Sequence, residues 1–526
     1  MIPAVRAHYR LVLRAPSSTI ECGGSCGPKI VPTIGHERGS GLQRLTLPRR
    51  LPDAMRVGKD LSELIYAASA NDGEPSSRLA EEAARRIEDD IASSGFLPGC
   101  SLGSLRVLSE RYRVGRAVIR EALGLLERRG LGKMRPGPCG GFILTKPRCD
   151  GVARELAQHF RTSGITLQQL LDAREAVDLM VVRMALAARS RNPIPPGSSA
   201  ESPATEPDPL AARLQLAQGA GEPTLVVLVE CLNQLTLDFL PASAAQWVGL
   251  EARHAMSDVR LAVQRGDLPA AMVAAEGAHQ ELMACMSELK QSTDRLSDPS
   301  SAGGALAGNI AGQLAAQILG GGSAGMRLGS EWDLCERFGV SRLTLRRAIR
   351  LLQDSGLVEC RRGRGNGLIA RDRRAPGSIR LLLAYLIGEK LDPMSAGTML
   401  LQLNCFTAAL AVARAGEDEK HKLQAALETI ESDESVDRYD LLRLVQRVSR
   451  LADSPVIDLI SRSLAAYEAR FRATLPERLP ASAHASYFQL LRRLLERVTG
   501  GTAADLSWAK QQSGQLLVQM SFSRPI

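Results

Sequence analysis

Residues 102–131 align without a gap on residues 328–357, at a constant offset of 226 and with 14 identities in 30 positions. A match of this length does not arise by chance, and the offset is far too long for a stacked solenoid repeat. The pattern therefore implies duplication of a whole two-domain unit. Length agrees, because 526 residues with 44% hydrophobic content can fill several cores at about 150 residues per domain. Aromatic residues make up only 4% while Ala, Leu and Arg abound, which favours helices over β-sandwiches or barrels.

Within each copy an apolar i, i+3, i+4 stripe predicts a leading helix, at Leu79–Ser93 and at Leu306–Leu319. A short helix is expected at Val107–Tyr112 and at Trp332–Phe338, then a tight turn, then a longer helix at Arg116–Arg129 and Leu343–Asp354. Gly130 and Gly356 stand as C-terminal stops. Glycine-rich segments with strand-like flanks follow, GKMRPGPCGGFIL from Gly132 and VECRRGRGNGLIA from Val358, and each reads as a two-stranded wing. Ser341 is a natural N-cap for the second long helix, whereas Gly115 offers the first no side-chain acceptor. Gly339 is free to take positive φ where Arg113 would be strained.

The net charge of +9 is concentrated on this repeat. Residues 101–148 hold 11 basic and 3 acidic groups and residues 327–374 hold 12 and 6, so the remaining 430 residues carry −5. Charge excess, helix-turn-helix spacing and duplicated placement together point to duplex DNA. The major groove admits one α-helix, whose first turns reach base edges. Arg116 and Arg120, like Arg342 and Arg346, lie four apart on one helix face. A guanidinium fork there either binds guanine O6 and N7 or clamps a phosphate. Arg135-Pro136-Gly137 and Arg361-Arg362-Gly363-Arg364-Gly365 sit at the wing tips, where small residues let the backbone approach DNA while an arginine enters the minor groove.

The run LGS-x5-ER-(Y/F)-x-V-x-R-x3-R-x-A-x2-LL-x3-GL followed by a glycine wing occurs twice and resembles the GntR family of bacterial transcription regulators, in its FadR-type branch. The resemblance implies a mostly α protein: two winged helix-turn-helix domains, each followed by an all-helical ligand-sensing bundle. The expected domains are 76–148, 151–300, 303–374 and 376–526, after an extension over 1–75 that is disordered or upstream of the true start. By position the family's DNA contacts imply Arg106, Arg116, Arg120, Arg135 and Gly137 in copy one. In copy two they imply Arg342, Thr344, Arg346, Arg362, Arg364 and Gly365, with Trp332 standing where copy one has Arg106. The family's sensing domain often holds a divalent metal on an aspartate and three histidines and binds a carboxylate or acyl effector. His254 and His279, about seven helical turns apart, miss that spacing, and copy two has no comparable histidine, so no metal and no cofactor is expected.

The reading is a sequence-specific, cytoplasmic DNA-binding regulator with two non-identical winged modules in one chain, acting as an internal pseudo-dimer or a homodimer on a double-stranded operator. A ligand sensor or scaffold with degenerate DNA modules is the alternative. Catalysis is not expected, since no HExxH, GxSxG or P-loop motif is present. Cysteines occur singly apart from Cys22 and Cys26, which suits a reducing compartment. No stretch reaches 18 consecutive apolar residues free of charge, so no membrane-spanning helix is expected. A Pro/Ser/Gly-rich segment from Arg191 to about Pro209 reads as a loop.

Overall fold

The computed structural model describes residues 75–522 apart from 94–97, 138–139, 192–207, 240–249, 294–303, 320–325, 355–356, 361–366, 371–375, 433–434, 472–477, 481–484 and 499–500. The N-terminal extension, most of the 191–209 loop, Gly356 and the wing residues Arg362, Arg364 and Gly365 lie outside the described residues.

The first winged domain consists of α1 (Pro75–Ser93), α2 (Leu105–Tyr112), α3 (Arg116–Arg128) and the antiparallel hairpin β1 (Gly132–Arg135) and β2 (Gly141–Leu144). Its core follows the apolar spacing. Ala84, Ile87 and Ile91 of α1 pack with Ile119, Leu123 and Leu126 of α3, and Phe142 and Leu144 close the cluster from the wing. Each fully buried side chain of this size contributes about 1.5–3 kcal/mol. A helical bundle follows: α4 (Cys149–Thr162), α5 (Leu167–Arg191), α6 (Pro209–Gly219), α7 (Pro223–Phe239), α8 (Leu250–Arg265) and α9 (Leu268–Thr293).

The second winged domain repeats the order with α10 (Gly304–Leu319), β3 (Arg327–Gly329), α11 (Glu331–Phe338), α12 (Arg342–Asp354), β4 (Val358–Cys360) and β5 (Leu368–Ala370). Here the wing is three-stranded, in the order β3-β5-β4, rather than the two-stranded hairpin the sequence suggests. The first domain forms the matching third-strand bonds, Leu102 N–H to Phe142 O at 2.8 Å and Phe142 N–H to Gly103 O at 3.0 Å. Both crossings are so close that a Cβ on Gly141 or Gly367 would lie 2.6 or 2.4 Å from the carbonyl oxygen of Gly103 or Gly329. Glycine is required at both.

The second bundle contains α13 (Pro376–Glu389), α14 (Pro393–Arg414), α15 (Glu417–Glu431), α16 (Arg438–Leu451), α17 (Pro455–Phe471), α18 (Ala485–Arg497) and α19 (Ala503–Phe522). It is not wholly helical, because β6 (Ser435–Asp437) pairs with β7 (Arg478–Pro480). Among the described residues one helix, α14, is long and apolar enough to cross a bilayer, although it contains no unbroken apolar run of that length. Its Ser, Thr, Gln and Asn residues interrupt any such run, yet the most apolar 18-residue window has mean hydropathy 1.5 and is 72% buried. It is the central helix of its bundle, packed by α16, α17, α18 and α19, and a helix buried all round must be apolar all round.

The two halves are joined in two ways. The bundles share one continuous apolar cluster running from Val152 to Ala509, with inter-bundle bonds from Arg414 to Asp172 and Lys510 to Glu175, each at 2.5 Å. The winged domains also cross over. Ala384 and Ile387 of α13 pack into the first winged core, while α10 and α12 of the second winged domain touch α4 of the first bundle. Glu88 on α1 lies between two guanidinium groups, Arg129 from its own domain and Arg380 of α13, with the three side chains 11%, 11% and 5% exposed. Arg154 occupies the matching place on α4, but it is 67% exposed and among the described residues reaches only Asp150, at 3.7 Å.

Removing one partner of a buried ion pair leaves uncompensated charge and costs about 3–5 kcal/mol. Glu88→Ala is therefore expected to lower unfolding free energy by about 3 kcal/mol in urea titration, while Arg154→Ala changes it by less than about 0.5 kcal/mol.

Candidate nucleic-acid interface

The face carrying the repeated arginines is built by the turn between the second and third helices of each winged domain. In the first domain the turn needs a left-handed residue after α2, and Arg113 supplies it at φ 54°. Gly339 supplies the same conformation at φ 61° without a Cβ to strain. The next helix begins differently in the two copies, as the sequence suggests. Ser341 Oγ accepts the backbone N–H of Thr344 at 3.2 Å, whereas Gly115 makes no side-chain cap. Ser330 and Asp333 form a reciprocal capping box at the start of α11.

These starts aim the arginines outward. Arg116 and Arg120 are exposed on α3, and the intervening Ile119 faces the core at 0% exposure. Arg342 and Arg346 are likewise exposed on α12, with Leu345 buried between them. Thr344 is half-buried and its hydroxyl lies 2.9 Å from Ser341 Oγ. Arg106 is exposed and pairs with Glu110 one turn on, at 3.0 Å. Arg135 and Gly137 are exposed at the first wing tip, and Met134 N–H donates to Glu127 Oε1 at 2.6 Å, tying the wing to the end of α3. The structure thus brings Arg106, Arg116 and Arg120 onto one winged domain with Arg135 on its wing.

Sequence reading missed Glu331. It stands where the first domain has Leu105 and accepts Arg346 Nε at 3.1 Å, so one arginine of the second face is paired within the protein. The substitution of a carboxylate for leucine at the repeat-matched position is the signal that marked it. Beside it, Trp332 is 65% exposed and the Arg342 guanidinium lies over its ring, 5.6 Å from the centroid. Cation–π contacts at such exposed sites contribute about 0.5–1 kcal/mol.

His254 is exposed on α8 and His279 is buried on α9, and no three His, Cys, Asp or Glu residues gather among the described residues. The interior of the first bundle is instead held by a fixed cation. Arg213 donates to Asp178 Oδ2 at 2.8 Å and to the carbonyls of Pro209 and Ala278. Burial pushes His279 down to about 3, opposed by Asp178 and reinforced by Lys510, Arg213 and Arg174. It is therefore neutral, and its 3.7 Å approach to Glu175 is not an ion pair.

The geometry is that of a protein with two winged helix-turn-helix domains, each presenting exposed arginines on the third helix. Residues 79–138 and 306–367 each match the family model described as bacterial regulatory proteins, gntR family. The two winged domains are thus similar to the DNA-binding domain of that family. The chain is also similar to the HTH-type transcriptional regulator LutR of Bacillus subtilis (strain 168), with 28% identity over 100 residues. That match covers 19% of this chain and 45% of LutR.

Two outcomes test the site's local physics. Replacing the left-handed Arg113 by Gly is expected to raise stability by about 0.5–1 kcal/mol in chemical denaturation. His279, whose folded pKa lies below the unfolded value of about 6.5, contributes stability above pH 6.5 that is lost as pH falls toward about 3. The loss for such a group is about 1.4 kcal/mol per pH unit. His279→Gln should flatten the stability profile by that slope between pH 6 and 4, and an unchanged slope would place the proton elsewhere.

Proposed function

We propose that this protein is a transcription regulator of the GntR family, a sequence-specific operator-binding protein in which one chain supplies two non-identical DNA readers, α3 and α12 being the recognition helices. The observation that carries the reading is the outward placement of four-apart arginine pairs on the third helix of both winged domains. Arg106, Arg116, Arg120, Arg135 and Gly137 form the first contact set. Arg342, Thr344 and Arg346, with Arg362, Arg364 and Gly365 of the sequence between β4 and β5, form the second. Guanidinium groups at these positions are suited to guanine edges and phosphates.

FadR-type relatives obtain two readers by pairing two chains; here the shared bundle core and crossed winged domains favour an internal pseudo-dimer arising by tandem duplication. Its half-sites are unequal, because the recognition helices differ at Ala117-Val118 against Leu343-Thr344 and at Glu121 against Arg347. Control by a small carboxylate or acyl effector fits the interior of the first bundle. Arg174 is fully buried, and its Nε and Nη1 have no hydrogen-bond partner among the described residues. Its remaining amine donates to Asn233 Oδ1 at 2.8 Å and Thr236 Oγ1 at 3.0 Å. Burial lowers its pKa to about 10, which still leaves it cationic at neutral pH. A cytoplasmic location accords with this role.

Selection of bound duplexes from random DNA tests the proposal. Arg116→Ala/Arg120→Ala is expected to erase sequence preference in one half-site only, and Arg342→Ala/Arg346→Ala in the other. Each lost phosphate contact should lower the log–log salt slope by about 0.9. A perfect palindrome, or equal loss at both halves from either double change, contradicts two separate readers.

A further inference from the structure

The second winged domain presents apolar surface on the face that reads DNA. Trp332 is 65% and Leu343 64% exposed, among the most exposed large apolar side chains described in the chain. Their surroundings are specific. Trp332 opens α11 beside the capping box at Ser330, and the Arg342 guanidinium over its ring holds it against the leading turn of α12. Leu343 is the next residue of that turn. Glu331 pairs with Arg346, so one arginine of this face is held within the protein beside the exposed indole. The matching positions of the first domain are Arg106 and Ala117, one a charged donor and the other a single methyl.

We propose that Trp332, aided by Leu343, determines specificity in the second domain by packing on the C5-methyl group of a thymine in the major groove. The proposal rests on the reading that this domain binds duplex DNA. Among the groups that base pairs display in the major groove, the thymine methyl is the apolar one, and apolar or aromatic side chains are its natural contacts. An indole and an isobutyl group cannot substitute for Arg106 as fork donors, but they can desolvate a methyl. Trp332 keeps its ring N–H available for a neighbouring acceptor. The two readers then differ in kind: the first recognises through hydrogen bonds and charge, the second in part through shape and methyl burial.

The test uses the full chain and the duplex selected by it. Each thymidine of the second half-site is replaced singly by deoxyuridine, which removes only the C5-methyl. Burying one such carbon is worth about 0.8 kcal/mol, so one position should weaken by about fourfold. Trp332→Ala is expected to erase that thymine-to-uracil difference while leaving uracil sensitivity elsewhere unchanged. Because the side chain is exposed, its removal opens no cavity. Trp332→Arg should shift the preference at the same position away from thymine and steepen the salt slope by about 0.9.

The idea fails if no second-half-site thymine is sensitive to uracil, or if the sensitivity survives Trp332→Ala. It fails also if Trp332→Ala weakens all sequences equally, which marks a backbone contact, or leaves DNA binding unchanged, which assigns the exposed indole to a protein partner. If instead no sequence is enriched, or enrichment ignores Arg342→Ala/Arg346→Ala, the DNA-reading role of the domain falls first.

Discussion

The placement of the first winged domain depends on a carboxylate held between two buried arginines. Glu88 meets Arg129 within its own domain and Arg380 on the far bundle. Charges this far from water persist only when each is compensated. The geometry that satisfies Glu88 therefore fixes where α1 sits on α13, and Ala384 and Ile387 then complete the winged core. A domain that borrows part of its core from the opposite half cannot swing independently of it. Among the described residues the second winged core contains no residue of the first bundle, and at the repeat-matched place Arg154 faces solvent.

That difference recurs at smaller scale. Asp90 ties α1 to α2 through Arg111 and the Tyr112 hydroxyl, at 3.0 and 2.8 Å, where the second copy has Phe338 in place of the tyrosine. The second copy has the better local chemistry, with a capping box, a serine N-cap and glycine at the left-handed turn. The first is locally strained at Arg113 but better anchored to the rest of the molecule. Local and tertiary stabilisation are thus distributed oppositely between two units of the same shape. Coupling between bundle and winged domain is accordingly expected to be tighter for the first unit.

Much of this was legible beforehand. The helices of both winged units fall within one or two residues of their expected bounds at most ends, because amphipathic spacing and turn residues act over a few positions. The leading helices begin earlier than the apolar stripe shows, at Pro75 and Gly304; in α1 the polar first turn Pro75-Ser76-Ser77-Arg78 leaves no apolar trace. The third wing strand was not legible: two or three residues carry no periodicity, and pairing with β5 is a long-range event. Exposed Arg116, Arg120, Arg342 and Arg346 followed from helical spacing. Glu331, fifteen residues from Arg346, did not, because that contact depends on how two helices cross.

By itself the sequence determined that a helix-turn-helix unit with a glycine wing occurs twice, that its arginines share a helix face, and that the copies differ at Trp332 and Ser341. These are consequences of short-range stereochemistry and of identity between repeats. Only the tertiary structure decided that the bundles share one core, that the winged domains cross over, and that Arg380 is buried while Arg154 is solvated. Two arginines at equivalent places in the repeat acquire opposite environments because burial is a property of what packs against a residue, and that is settled by contacts hundreds of positions away.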